Sequence, residues 1–267
     1  MKRFILGVIC LGAYSCNVNP LGTREFEVEV VESLKLLGFR DIGIYNAGTD
    51  RIARLTDDGD SKVRVFRDGT NLTLDASNNP LARVVIDVPD ATRIEVERSS
   101  GSIYLSEDPG PIELVVKESR IELDVSVDSC RLLVTDSVVE EDRFDSQSGR
   151  DWNIEAASSS VSLTLRGIEA VKVILTNGAY AEFFGAFGMK PFFEVDAVDS
   201  SLSASRVGAL GMRATLLRSD AEVCVQDGPL QVSAREGSVL RLYEGCEATT
   251  VDIDLDASST STTFHHR

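Results

Sequence analysis

Nine short segments of the chain superpose on one template when a small residue is aligned at Gly101, Ser119, Ser137, Ser159, Gly178, Ser200, Ser219, Gly237 and Ser258, at intervals of 18 to 22 residues. A period near 20 is what a solenoid leaves in sequence, because each repeat is one coil that buries its apolar side only against the coils beside it. Seven residues before the small position stand Ile94, Ile112, Cys130, Trp152, Val171, Phe193, Met212, Leu230 and Val251, and five before it a second column runs from Val96 to Ile253, apolar throughout. Between them stand Glu95, Glu113, Arg131, Asn153, Lys172, Glu194, Arg213, Gln231 and Asp252. That alternation predicts a strand with one face in and one face out.

Two residues after the small position the column reads Ile103, Ile121, Val139, Val161, Tyr180, Leu202, Ala221, Val239 and Thr260, which predicts a second inward-pointing strand beyond a tight corner. The corner needs either a positive φ, which Gly tolerates, or a side chain that bonds its own backbone, which Ser supplies. Like positions stacked one coil apart give parallel ladders. The expected fold is therefore all-β, a right-handed parallel β-solenoid (β-helix) with about nine recognisable coils. A sandwich also yields short alternating strands, but it does not require a small residue at nine equivalent corners.

With 267 residues, 43% of them hydrophobic, and no Pro- or Ser-rich linker, the chain reads as one elongated domain. Residues 26–90 match the template poorly and are expected to form an N-terminal cap and first irregular coils. Residues 91–263 are repeat coils and 264–267 a tail. Open solenoid ends need a cap to avoid edge-to-edge aggregation.

Ahead of this domain, Lys2 and Arg3 precede an apolar run from Phe4 to Ala13 that is too short to span a bilayer, followed by the small-x-small pattern Ala13-Tyr14-Ser15. Residues 1–15 read as a secretory signal peptide and 16–25 as a tether. The new N-terminus would be Cys16, which resembles the lipobox cysteine of bacterial lipoproteins; the resemblance implies a lipidated thiol and a membrane partner. Ordinary cleavage at the same bond is the alternative. Once Cys10 and Cys16 are set aside, Cys130, Cys224 and Cys246 remain. Cys130 sits in an inward column and is expected to be a buried, inert thiol. Cys224 and Cys246 are not stacked by the template, and a bond between them stays open.

The net charge of −16 repels nucleic acid and anionic headgroups, so neither is an expected partner. It also keeps a stack of exposed strands soluble. The only histidines are His265 and His266 at the very end, so no histidine-based triad is expected. No zinc-protease, P-loop or dinucleotide motif occurs, and no metal or cofactor is expected. Carboxylate chemistry on a polysaccharide stays open, because acids are abundant, but no pair stands out.

Two segments interrupt the repeat. Asp57-Asp58-Gly59-Asp60 offers carboxylates around a Gly yet lacks the rest of a calcium loop, so a plain acidic turn is expected. Phe183, Phe184, Phe187 and Met189 crowd a stretch that also holds Gly185, Gly188 and Pro191. They either fold over the solenoid side as a small cluster or form an exposed apolar patch for a partner. The polar insertion from Glu140 to Asp151 is expected to be a loop.

The run Val84-Val85-Ile86-Asp87-Val88-Pro89, followed by Ile94-Glu95-Val96 and Ser99-Ser100-Gly101-Ser102-Ile103, resembles the opening of the bacterial putative adhesins that include the head-GIN domain. The similarity extends over roughly residues 26 to 262. It implies a β-solenoid behind a signal peptide or lipoprotein leader in the bacterial cell envelope, and carries over no catalytic or binding residue. The expected function is a lipid-anchored envelope adhesin or structural surface for an envelope protein or a glycan. A polysaccharide-processing enzyme and a self-associating envelope scaffold are the alternatives.

Overall fold

The computed structural model describes residues 17–18, 23–46, 51–56, 63–79, 81–105, 110–141, 149–165, 167–185, 191–226, 228–243 and 248–264. Among these residues there is no helix, and the strands form two sheets, sheet A with 14 strands and sheet B with 12. From Arg93 onward the chain alternates between them, one strand in sheet B, a tight corner, then one strand in sheet A. Each strand pairs in parallel with its counterpart one coil away. Thus Cys130 stands beside Trp152, then Val171, Phe193, Met212, Leu230 and Val251 in one unbroken column. The protein is a parallel β-solenoid.

The core lies between the two sheets, where each inward residue packs on the like residue of the next coil and is closed to solvent, as for Leu132, Ile154, Val173 and Leu163. β-Branched and leucine side chains suit this arrangement because they fill a pleated surface that is buried on both sides. Cys130 is buried and free, and desolvation pushes its thiol pKa up, which makes it a packing residue. Cys224 is buried and disulfide-bonded.

The corners correct the sequence alignment. The left-handed φ falls on the residue before the serine, at Arg98, Glu118, Asp136, Ser158, Asp199 and Arg218, all between 48° and 51°. The serine that follows is buried and acts on its neighbours. Its hydroxyl donates to the carbonyl two residues back, as from Ser119 to Lys117 and from Ser219 to Leu217. Its oxygen accepts the backbone N–H of the serine one coil earlier, as in Ser99 to Ser119, Ser137 to Ser159, and Ser219 to Ser238, at 3.0 to 3.1 Å.

The ladder position is therefore Ser99, Ser119, Ser137, Ser159, Ala179, Ser200, Ser219, Ser238 and Ser259. The template is two residues late in the first of these coils, where Gly101 pairs with Ile42 and Ile121. It is one residue early at Gly178, Gly237 and Ser258. At Gly178 and Gly237 the corner holds an extra residue and closes on itself, with the Ala179 and Ser238 amides donating to Thr176 and Arg235. This single-residue shift turns Tyr180 and Val239 away from the core and puts Ala181 and Leu240 inside instead.

The N-terminal layers are not stacked in chain order. The first layer, Ser33–Leu37 with Asp41–Tyr45, lies between the layer formed by Asn71–Asp75 with Arg83–Asp87 and the layer that begins at Arg93. Gly101 makes this junction. Its φ is +139°, and a Cβ there would lie within 2.5 Å of the Ile42 amide nitrogen. Antiparallel strands close this end: Arg64–Asp68 in sheet B, and Ile52–Thr56, Thr23–Glu27 and Asn17–Val18 in sheet A.

Candidate binding surface on sheet A

Along the first half of each sheet A strand, like positions pair from coil to coil, so the outward residues form columns. One column reads Ser162, Glu182, Ser203, Glu222, Arg241 and Thr262. Tyr180 and Phe184 flank Glu182 on the same face of their strand, and Tyr243 stands two residues beyond Arg241. Tyr180 is 39% exposed. The row therefore combines three aromatic rings with two carboxylates and a guanidinium.

The contacts hold these groups in place. Tyr243 Oη donates to Glu222 Oε2 at 3.3 Å, and Arg241 reaches Asp220 at 3.6 Å and Glu222 at 3.7 Å. Partial burial raises the Tyr180 hydroxyl pKa, and the charge of Glu182, a hydrogen bond to it and the charge of Glu222 add to the rise, with Arg206 opposing. The phenol thus stays a neutral donor beside two acids. Arg206 stacks over Phe184, 5.5 Å from the ring centre. It comes from an irregular strand, Ser201–Ala209, whose register slips against both neighbours. Such bulges re-aim side chains.

The aromatic run divides between core and surface. Phe183 points inward, is 1% exposed and packs on Phe193 with ring centres 5.7 Å apart, so it belongs to the core and not to an exposed patch. The reason is the strand period: Phe184 faces out because Phe183 faces in. Phe184 is half-buried under Arg206. Phe187 and Met189 lie outside the described residues, as do Cys16, Cys246, the Asp57 to Asp60 turn and both histidines. Tyr180, Glu222, Arg241 and Tyr243 were not singled out from sequence. Tyr180 was hidden by the one-residue shift at Gly178, and the spacing of 19 then 22 residues around that corner is the signal that could have exposed it.

Two open hollows lie away from this row. One, of about 410 Å³, lies over Glu113, Arg131, Trp152, Asn153 and Lys172 on sheet B; the other, of about 660 Å³, follows the serine corners from Phe39 to Ser137. Among the described residues no group of three His, Cys, Asp or Glu side chains could hold a metal ion. No helix among them is long and apolar enough to cross a membrane.

No protein-family model and no curated protein sequence matches the chain. Solved structures do. A putative adhesin from Parabacteroides merdae superposes with a TM-score of 0.64 at 10% identity, covering 91% of this chain and 95% of the other. A putative adhesin from Parabacteroides distasonis gives 0.60 at 11% identity, over 91% and 96%. The chain shares their fold. A putative adhesin from Bacteroides fragilis has a TM-score of 0.50 at 10% identity. At such identities side chains are not conserved as a set, so the likeness extends to the backbone and not to a site.

Proposed function

We propose that this is an exported cell-envelope protein, tethered through lipid on Cys16, whose solenoid presents a sugar-binding face on sheet A. The leader-like first 15 residues and the following cysteine support the tether, and the fold shared with putative adhesins supports an adhesin-like role. The observation that carries the ligand class is the row Tyr180, Glu182, Glu222, Arg241 and Tyr243. Aromatic faces cover the apolar side of a pyranose ring, while carboxylates and a guanidinium take its hydroxyls in charge-assisted hydrogen bonds. A stiff, flat ladder suits an extended, repetitive chain of such rings.

Two measurements test this. Intact mass of the mature protein from bacterial membranes should show acylation that is lost in Cys16→Ser; a soluble chain with unmodified Cys16 rejects the tether. Binding to a panel of neutral oligosaccharides should be lost in Tyr180→Ala and in Glu222→Gln with the fold unchanged. Binding that both variants retain rejects the face. Shortening of the bound oligosaccharide would replace the adhesin-like role with a polysaccharide-processing one.

A further inference from the structure

Among the described residues, the far end of sheet B is an open strand edge. Sheet B ends at Thr250–Leu255, which pairs with Pro229–Arg235 on one side only. Its inward residues Val251, Ile253 and Leu255 continue the core columns of Leu230, Val232 and Ala234, yet Val251 is 58% exposed and the other two are half-buried. An edge with free backbone groups and an apolar column in the open is a template for one more strand.

The charges state what that strand should carry. Inside the stack, acids on the outer face are met by bases from neighbouring coils: Glu113 is 3.3 Å from Arg131, Arg131 is 2.9 Å from Glu155, and Lys35 and Lys117 hold Glu95 from either side at 2.9 and 3.0 Å. The last layer presents acids on this face. Asp252 lies beside the uncharged Gln231, and Asp254 is paired with Arg235 behind it, with no described strand ahead. The next rung therefore calls for cations opposite Asp252 and Asp254 and apolar side chains opposite Val251, Ile253 and Leu255.

We infer that the Thr250–Leu255 edge accepts an extended segment of another polypeptide in which apolar and basic residues alternate. A second copy of the same chain fits worse. Two such edges brought together set Asp252 and Asp254 against their own equivalents, which repel. The opposite end is not level with it either, since sheet A carries three antiparallel strands beyond Arg83–Asp87 where sheet B carries one beyond Asn71–Asp75. This surface is independent of the sugar-binding face.

The test is fluorescence anisotropy with two labelled peptides, one alternating valine and lysine, the other valine and glutamate, added to the whole protein at physiological salt. The valine–lysine peptide should bind at least about tenfold more tightly. Val251→Lys should abolish binding while the protein stays folded by circular dichroism, because that side chain is already 58% exposed. Asp252→Lys should weaken the lysine peptide and strengthen the glutamate one. Absence of binding, equal binding of the two peptides, or binding indifferent to Val251→Lys overturns the inference. So does sedimentation showing that this edge is filled by a second copy, with a dimer that Val251→Lys dissociates.

Discussion

The backbone amide of Ser119 donates to Oγ of Ser137, 3.0 Å away in the next coil, while the Ser137 hydroxyl donates to the Thr135 carbonyl at 2.6 Å. One buried side chain thus satisfies a donor in the coil before it and an acceptor in its own. Removing such a group leaves a buried N–H without a partner, which costs about 1–3 kcal/mol. Ser219→Ala should lower the free energy of unfolding by that amount in chemical denaturation, because Ser219 receives the Ser200 amide and donates to Leu217. Ser258→Ala should cost less, since Ser258 is exposed at a corner of the open end. Equal losses at the two sites would mean that the ladder adds nothing to stability.

Phe183 and Phe184 are adjacent and should behave oppositely. Phe183→Ala opens a cavity beside Phe193 in a core that cannot collapse, and should cost about 3–5 kcal/mol in chemical denaturation. Phe184→Ala removes a half-buried ring and its contact with Arg206, and should cost about 1 kcal/mol or less.

Gly101→Ala should strike the junction between the layer of Ser33–Leu37 with Asp41–Tyr45 and the layers that follow it. Its backbone angle alone makes a side chain cost about 1–3 kcal/mol, and the contact with Ile42 adds to that. Hydrogen exchange should show the loss of protection concentrated in Asp41–Tyr45 and Ser100–Leu105. Uniform loss over all strands would place the effect elsewhere.

Acid should act partly through Glu95. Burial opposes its ionisation, but hydrogen bonds from Lys35 and Lys117 and their charges outweigh it and hold the carboxyl below its ordinary value of 4.5. A depressed folded pKa means that the stabilisation is complete above the ordinary value and is lost as pH falls through the folded one. Glu95→Gln should therefore lower the melting temperature at neutral pH by the loss of roughly 1 kcal/mol. The same variant should lose less than the native chain between roughly pH 5 and pH 3. Parallel curves for the two proteins would show that Glu95 takes no part in the acid transition.

The parallel solenoid could be read from sequence because its columns are set by packing, and packing acts on every coil alike. The outward pairing of Glu113 with Arg131 was equally legible, since register places the two side by side. What escaped was local. A shift of two residues at Gly101 preserves the inward face and so leaves no trace in the apolar pattern, whereas the extra residue at Gly178 flips Tyr180 to the outside. The layer order at the N-terminus was also out of reach, because nothing in the Ser33–Leu37 strand says which of two similar neighbours it meets. The sheet A row needed three-dimensional register, since Glu182, Glu222 and Tyr243 come from three different coils.

The position of the first layer bears on how the molecule is assembled. Ser33–Leu37 and Asp41–Tyr45 come before every other parallel layer in the chain, yet they finish with parallel neighbours on both sides. From this layer the stack extends in two directions, a short one toward the antiparallel cap and a long one through the serine corners. Each later layer adds to a surface already formed, so closure entropy is met in steps of about 20 residues. Shortening the chain from its far end should peel off one layer at a time, while deleting this first layer would part the cap from everything that follows.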